Sequence, residues 1–301
     1  NLKQVRAAWP DYAKVYFELG YAFEQLERLD SAVAQYEKCL VINPKYSGVY
    51  KRLATMAYNK EDYPKALEHY RKAVEVSADE INDYLFWYRK GFCENNGQEY
   101  EKALESLRKA KEQNRKYTST YLEIGFANSK LKRNDSAMAA FQQAIELEPN
   151  SHIGYNGIAE IYRDNLKDYE TAMTWYRKTL AINSKERKAN YGMGYCLNSQ
   201  SKSADAIPYL KQALQSEPSY TAAMTELGYA YYKTASYADA LSVLKKAIGI
   251  NPKSQNTYYY LTLTYIALKD KSNAQKQVDA LRDIGAANYA DQLQKKVNEM
   301  N

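Results

Sequence analysis

The chain has 301 residues, 45% of them hydrophobic, and its 42 basic and 36 acidic side chains give a net charge of +6. This hydrophobic content is enough for a packed core, which argues against a disordered chain. The 12 glycines and 7 prolines are few for an all-β protein, and the interspersed charges lack the clustering typical of nucleic-acid-binding proteins. Because no apolar run reaches the roughly 18–20 residues of a membrane span, none is expected.

Prolines and glycines recur along the chain at a spacing of 34 residues or near-multiples of it. The prolines are Pro10, Pro44, Pro149, Pro218 and Pro252, and the glycines are Gly20, Gly91, Gly125, Gly194 and Gly228. Offsets in the spacing place extra residues before Tyr84 and in the stretch 164–168. Such a period indicates a repeat architecture, in which each unit buries its apolar face only against its neighbours.

A fixed set of residues accompanies the period. It reads Tyr16, Leu19, Gly20, Phe23, Ala32, Tyr36 and Pro44 in the first full unit, and recurs as Trp87, Gly91, Ala103 and Leu107, as Tyr121, Ile124, Gly125, Ala137, Phe141 and Pro149, and as Leu227, Gly228, Tyr231, Ala240, Leu244, Ala247 and Pro252. This pattern resembles the tetratricopeptide repeat (TPR) family. The resemblance implies an all-α fold: a right-handed superhelical solenoid of helix-turn-helix units.

The register divides the chain into about eight units between two shorter ends. The predicted units are 13–46, 47–80, 84–117, 118–151, 152–186, 187–220, 221–254 and 255–288. Residues 1–12 match the end of a second helix, so the chain is interpreted as a piece of a longer protein that begins inside an earlier repeat. Residues 289–301 have one apolar face and are predicted to form a capping helix.

The sequence offers little for catalysis or for a cofactor. His69 and His152 are the two histidines, and neither stands at metal-ligand spacing from a cysteine or a paired carboxylate. Cys39, Cys93 and Cys196 occupy positions where other units carry alanine, which indicates packing rather than chemistry. No phosphate-binding glycine loop is present. We therefore expect a non-enzymatic protein without cofactor or metal.

In this family the first helices line a concave groove, and ligand contacts come from unit positions 2, 5, 9, 12 and 13. Aromatic residues occupy position 9 as Tyr21, Phe92, Phe126, Tyr195 and Tyr229, position 5 as Phe17, Tyr88, Tyr191 and Tyr259, and position 12 as Tyr58 and Tyr232. Aromatic side chains give a large contact area at low entropic cost, so these residues are candidate peptide contacts. The alternative is that a chain with 31 tyrosines simply places them there by composition.

The groove positions do not fit the two-carboxylate clamp by which some members of the family bind acidic C-terminal peptides. The clamp needs Lys and Asn at positions 5 and 9, which hold Phe17 and Tyr21 in the first unit. Lys51, Arg52 and Arg89 are instead expected to neighbour one another near Phe92 and to hold a carboxylate, unless they are ordinary surface charges. The remaining groove charges are of mixed sign, which argues against nucleic acid; they are Glu123, Glu160 and Glu226 against Arg163, Lys188 and Lys233.

The expected function is a scaffold or adaptor that binds a peptide or protein segment in the groove. The alternative is a regulatory or substrate-recognition arm of a larger enzyme or of a secretion or assembly machine, whose active part lies outside this sequence. Self-association by end-to-end stacking is left open and is not predicted. Neither the partner nor the compartment follows from the sequence, since the fold does not determine function.

Overall fold

A computed structural model describes residues 12–78 and 81–300. Within these ranges the chain forms 17 α-helices and one π-helical segment, and it contains no strand. The predicted remnant at residues 1–12 lies outside the described residues except for Tyr12, as does Asn301. The chain divides into two compact units, residues 1–147 and 148–301, which are described separately.

The first unit holds four helix pairs. Their bounds are α1 Ala13–Gln25, α2 Leu29–Ile42, α3 Ser47–Asn59, α4 Tyr63–Ser77, α5 Tyr84–Asn96, α6 Tyr100–Gln113, α7 Thr118–Lys130 and α8 Asn134–Leu147. Each helix packs against the next one in the chain, and the first helices α5 and α7 of adjacent pairs also touch. The unit is therefore a helical-repeat solenoid with a layer of first helices and a layer of second helices.

The second unit repeats this plan and adds a final helix. Its bounds are α9 His152–Glu160, the π-helical segment Ile161–Leu166, α10 Tyr169–Ile182, α11 Arg187–Ser199, α12 Ser203–Ser216, α13 Thr221–Lys233, α14 Tyr237–Ile250, α15 Gln255–Ala267, α16 Lys271–Asp283 and α17 Ala287–Asn298. The first helices α9, α11, α13 and α15 contact one another in order, and α17 packs on α15 and α16. No helix in the described part of the chain is both long and apolar enough to cross a bilayer.

Close approach within each pair depends on a small residue in the first helix. At Gly20 an added Cβ would lie 2.5 Å from the ring of Tyr36. Tyr36 is fully buried in α2, and its hydroxyl donates to Glu24 Oε2 at 2.7 Å. The glycine thus leaves space that a large buried side chain of the partner helix fills, which is the packing that the repeat pattern predicts.

The turns inside the pairs share one backbone conformation. Each contains a residue with positive φ, namely Glu27, Glu61, Gln98, Lys132, Lys167, Ser201, Ala235 and Lys269. The following amide donates to a carbonyl five residues earlier, as from Ser236 to Tyr231 at 2.9 Å, which is the 6→1 bond of a Schellman cap. After the π-helical segment Ile161–Leu166, the Asp168 amide reaches Tyr162, one residue further back. The extra residue is therefore absorbed at the end of the first helix.

The large residue near the start of several first helices donates a hydrogen bond to the segment before the helix. The Tyr50 hydroxyl donates to the Pro44 carbonyl, and the Trp87 indole N–H donates to the Ile81 carbonyl, each six residues earlier. Asn190 occupies the same position without an aromatic ring. Its Nδ2 donates to the Ser184 carbonyl, also six residues earlier, at 2.9 Å. In α11 an amide thus replaces the aromatic residue and still reaches the carbonyl six residues earlier.

Candidate functional site

The aromatic residues predicted for the groove lie on first helices, and we call this layer the first-helix face of each unit. At its start Phe17 stacks on Tyr46 with ring centroids 5.1 Å apart. The Arg52 guanidinium lies 4.5 Å from the centroid of Tyr21 and 3.5 Å from Glu24 Oε1. Arg52 is therefore already paired with one ring and one carboxylate.

Further along the first unit, five rings form a cluster around Phe92. The Phe92 cluster consists of Tyr58, Tyr63, Tyr88, Phe92 and Tyr117. Tyr58 and Tyr63 meet Phe92 edge to face at 5.6 Å and 5.2 Å, and Tyr117 meets Tyr88 at 5.0 Å. Edge-to-face pairs of this kind fix the orientation of the rings. Three predicted residues are thus brought together, with two rings that the sequence did not single out.

The predicted cations do not share one environment. Arg89 lies over Tyr58 at 5.4 Å, whereas Arg52 contacts Tyr21 and Glu24, and Lys51 is partly exposed on α3. A site in which Lys51, Arg52 and Arg89 jointly hold a carboxylate stays a prediction.

Phe126 is exposed, whereas the other predicted aromatic contacts are intermediate in exposure. Its exposed fraction is 40%, and its ring lies 6.2 Å from Tyr100 and 5.2 Å from the Lys130 ammonium. A large apolar ring that remains this accessible on a first helix has contact area left for a partner.

In the second unit a buried arginine organises the first rings. Arg163 pairs with Asp164 through two hydrogen bonds of 2.7 Å, from Nε and from Nη2. Its guanidinium lies 5.4 Å from the centroid of Tyr191 and 5.8 Å from that of Tyr195. Burial of Arg163 is compensated by this bidentate pair and by the faces of the rings. The π-helical segment that carries Arg163 thus positions two of the predicted contacts.

The remaining predicted contacts lie on α13 and α15. Tyr229 lies 4.8 Å from Tyr260, and Tyr259 lies 5.1 Å from Tyr289 of the final helix. Tyr232 packs at 6.2 Å against Tyr237, which follows on α14. Burial raises the pKa of Tyr229 and Tyr232, so both hydroxyls stay protonated near neutral pH and are available as hydrogen-bond donors.

Two asparagine–glutamate pairs connect consecutive first helices, one pair in each unit. Asn95 Nδ2 donates to the carbonyl and, at 2.7 Å, to the Oε2 of Glu123. Asn198 Nδ2 donates to the carbonyl of Glu226 at 3.0 Å and to its Oε2 at 2.9 Å. Burial raises the pKa of both carboxyl groups, and donation from the asparagine opposes that rise. These pairs place two partly buried carboxylates among the aromatic residues.

The sequence reasoning counted Glu123 and Glu226 only as scattered charges. The signal that would have paired them is the shared separation of 28 residues from Asn95 and Asn198, which differs from the repeat length. Because such a spacing links one helix to its neighbour, a search for matching positions within units does not detect it.

Within residues 12–78 and 81–300, no group of three or more histidine, cysteine, aspartate or glutamate residues is arranged to hold a metal ion. The three cysteines are buried and free. Burial raises the pKa of Cys39 to about 11 and that of Cys93 and Cys196 to about 12. Since the thiolate is the reactive form, these thiols are poor nucleophiles at neutral pH.

We therefore expect none of the three cysteines to react rapidly with Ellman's reagent at pH 8 in the folded protein, and all three to react in concentrated urea. The measurement is the absorbance of the released thiolate over time, with and without urea. A cysteine-free variant gives the baseline. Fast reaction of one thiol without urea would contradict the packing role.

Comparisons with known proteins agree with this architecture. One tetratricopeptide repeat family model matches residues 51–117 and 193–254, and another matches 13–46, 118–151 and 154–186. Anaphase-promoting complex subunit 3 of Schizosaccharomyces pombe is 28% identical over 153 residues, which are 51% of this chain and 23% of that protein. Heat shock protein STI1 of Saccharomyces cerevisiae is 25% identical over 114 residues, 38% of this chain and 19% of that protein. The chain thus spans about a fifth of these relatives.

Solved structures share the fold at low identity. One chain of the APC/C hetero-tetramer Cut9–Hcn1 matches with a TM-score of 0.68 and 18% identity, over 89% of this chain and 52% of the matched chain. PilW, a type IV pilus biogenesis factor, matches with a TM-score of 0.63 and 21% identity, over 70% of this chain and 98% of the PilW chain. YrrB matches with a TM-score of 0.54 and 22% identity, over 64% of this chain and 99% of the YrrB chain.

The matched residues make up more than half of the sequence and fall on the helix pairs of both units. The small residue in the first helix, the large buried residue in the second and the shared turn between them recur along the chain. The chain belongs to the tetratricopeptide repeat family.

Proposed function

We propose that the chain is a non-enzymatic interaction scaffold whose first-helix faces bind an extended or helical segment of a partner protein. The observation that carries this proposal is the row of incompletely buried aromatic side chains on successive first helices, such as Phe92 and Phe126 in one unit and Tyr195 and Tyr229 in the other. All of these rings supply contact area, and the tyrosine hydroxyls supply directed hydrogen bonds, which suits a peptide backbone.

Family membership supports the same proposal. One curated relative is named as a subunit of the anaphase-promoting complex, and one solved protein of this fold, YrrB, is described as having an unusual peptide-binding site. Binding of a protein segment is therefore a function for which the family architecture is used, although each relative's partner is its own.

A second candidate function is that of a recognition arm within a larger protein or assembly. The observation that favours it is coverage: the chain spans 23% of one curated relative and 19% of another. In this case the first-helix faces would still bind a segment, and the activity would belong to other parts of the assembly.

Selection from a random peptide library displayed on phage tests the proposal. Selected peptides are synthesised with a fluorophore, and their affinity is measured by fluorescence anisotropy for the wild type and for Tyr195→Ala combined with Tyr229→Ala. We expect the double variant to bind at least about tenfold more weakly, because truncation of aromatic contacts removes most of the binding energy at such surfaces.

The matched control is Tyr209→Ala, which removes a partly buried tyrosine from the second helix α12 instead. It should leave the affinity within about twofold, provided that thermal unfolding shows both variants to be folded. Equal loss in Tyr209→Ala and the double variant, or no loss in either, would place binding away from the first-helix face and reject the proposal.

A further inference from the structure

Glu226 is a partly buried carboxylate on the first helix α13. Both side-chain hydrogen bonds to this residue come from Asn198, one to its carbonyl and one to Oε2. Asn198 itself is 4% exposed, and its Oδ1 has no hydrogen-bond partner in the described part of the chain. Among the described residues, the carboxylate thus receives an amide N–H group but no cation's N–H group, and the pair retains an unsatisfied buried acceptor in the amide oxygen of Asn198.

Tyrosine side chains lie near this carboxylate: Tyr191 lines the same cleft as Glu226, and Tyr229 follows Glu226 by three residues on α13. Burial is the main cause of the raised pKa values of Tyr229 and Tyr260, and the nearby charge of Glu226 is the next. Burial and the same charge also raise the pKa of Tyr191. Since Tyr229 and Tyr260 lie 4.8 Å apart, a carboxylate and several ring faces are offered together. This combination suits a cation, which is attracted by the carboxylate and by the negative faces of aromatic rings.

An open cleft of about 200 Å³ gives access to the site. Its lining includes Tyr191, Thr225, Glu226, Ser254 and Asn256. The volume lies below the roughly 300 Å³ at which pockets for whole small-molecule ligands begin, so it matches a single side chain of a longer ligand. The lining is rich in oxygen atoms, which accept hydrogen bonds from ammonium and guanidinium groups.

Arg163, whose charge acts on the Glu226 carboxylate, is already engaged elsewhere. Arg163 is close enough to oppose the rise in the pKa of Glu226. However, its Nε and Nη2 are bound to Asp164, and its guanidinium lies against the rings of Tyr176, Tyr191 and Tyr195. No hydrogen bond joins it to Glu226 within the residues that the structure describes. The Glu226 carboxylate is therefore left without a direct cationic partner.

The same arrangement occurs in the first unit. Asn95 donates to Glu123 as Asn198 does to Glu226, and Asn95 is 3% exposed with an unpartnered Oδ1. The charge of Glu123 contributes, after burial, to the raised pKa of Tyr88. Two independent occurrences of an asparagine, a glutamate and nearby tyrosines indicate a recurring feature of the first-helix face.

We propose that the Asn198–Glu226 site binds the lysine or arginine side chain of a partner segment. The carboxylate would accept the charged N–H groups, and Tyr191 of the cleft lining would contact the aliphatic stem, with the rings of Tyr229 and Tyr260 beside the charge. The proposal rests on the proposed function, in which a segment lies along the first-helix face, and it specifies that this segment carries a basic residue at the position facing Glu226.

The test uses two small probes of matched shape. N-acetyl-arginine amide carries one guanidinium and no terminal charges, and N-acetyl-citrulline amide is its neutral counterpart. Each is titrated into the full chain with ring-labelled tyrosine, and the NMR signals of Tyr229 and Tyr260 are assigned by tyrosine-to-phenylalanine variants. We expect saturable shifts with the arginine probe at roughly millimolar concentration, and none with citrulline.

Glu226→Gln keeps the shape of the side chain and removes its charge. It should lower the affinity for the arginine probe at least fivefold. Glu170→Gln, which removes an exposed carboxylate from the second helix α10, should leave the affinity unchanged. Equal shifts with both probes, no shift with either, or an unchanged affinity in Glu226→Gln would each overturn the proposal.

Failure of this site is distinguishable from failure of the proposed function. Suppose that the selected library peptides lack basic residues, bind more weakly when Tyr195 and Tyr229 are replaced, and bind Glu226→Gln as tightly as the wild type. This result would contradict the cation site and would still support the scaffold function. Binding of the arginine probe at Glu226 without selection of any peptide would support the site and count against segment binding.

Discussion

Replacing Lys90 by methionine should lower the free energy of unfolding by about 3–5 kcal/mol, because it leaves a buried carboxylate without its cation. Lys90 Nζ lies 2.5 Å from Glu94 Oε1 and 2.9 Å from Ser106 Oγ. The Ser106 hydroxyl donates to the other carboxylate oxygen at 2.7 Å. The side chain of Glu94 is only 1% exposed, so water cannot replace the lost ammonium group. Urea unfolding followed by tryptophan fluorescence measures the effect.

Two further variants separate burial of the charge from loss of an ion pair. Lys72→Met removes a lysine that pairs with Glu75 at 2.9 Å, but the two side chains are 51% and 68% exposed, so the loss should stay below about 1 kcal/mol. Combining Lys90→Met with Glu94→Leu removes both charges and should recover most of the stability. A loss in Lys90→Met no greater than that in Lys72→Met would contradict the buried-charge interpretation.

The helix pairs were predictable because the residues that enforce them recur at the repeat length. Gly20 and Tyr36 illustrate the reason: space on one helix and a large side chain on the next must occur together, so both leave a signal in the sequence. The role of Asn190 was not predictable, because this residue breaks the aromatic pattern. Its hydrogen bond to the Ser184 carbonyl depends on the distance between the two groups in the folded chain, which the sequence does not give.

The candidate site was predictable in part. The register placed Tyr191, Tyr195 and Tyr229 on first helices, and the structure finds them there. The partners of these rings were not predictable, because Tyr220 lies in the segment between α12 and α13, outside the helical pattern, and meets Tyr191 of the same predicted unit at 5.2 Å. The Asn198–Glu226 pair, in contrast, spans two repeats. Contacts between units depend on how helices stack, and a pattern within one unit does not contain that information.

Substitutions at Gly91 and Leu107 should be strongly coupled in their effects on the free energy of unfolding. Leu107 is fully buried in α6, and a Cβ added at Gly91 in α5 would lie 2.6 Å from its Cγ. Leu107→Ala alone should cost about 2–5 kcal/mol through lost burial and a cavity. Gly91→Ala alone should cost about 1–3 kcal/mol, because the leucine must leave its preferred position to admit the methyl group.

The double variant should be less destabilised than the two single losses added together, by about 0.5–3 kcal/mol, because the new methyl group enters the space that Leu107 vacates. Compensation should remain incomplete, since the added Cβ also lies 3.2 Å from the Ala103 carbonyl oxygen, which truncating the leucine does not move. Urea unfolding of all four proteins measures the coupling. Strict additivity would mean that the helices separate to admit the methyl group, and that the glycine does not set their distance of approach.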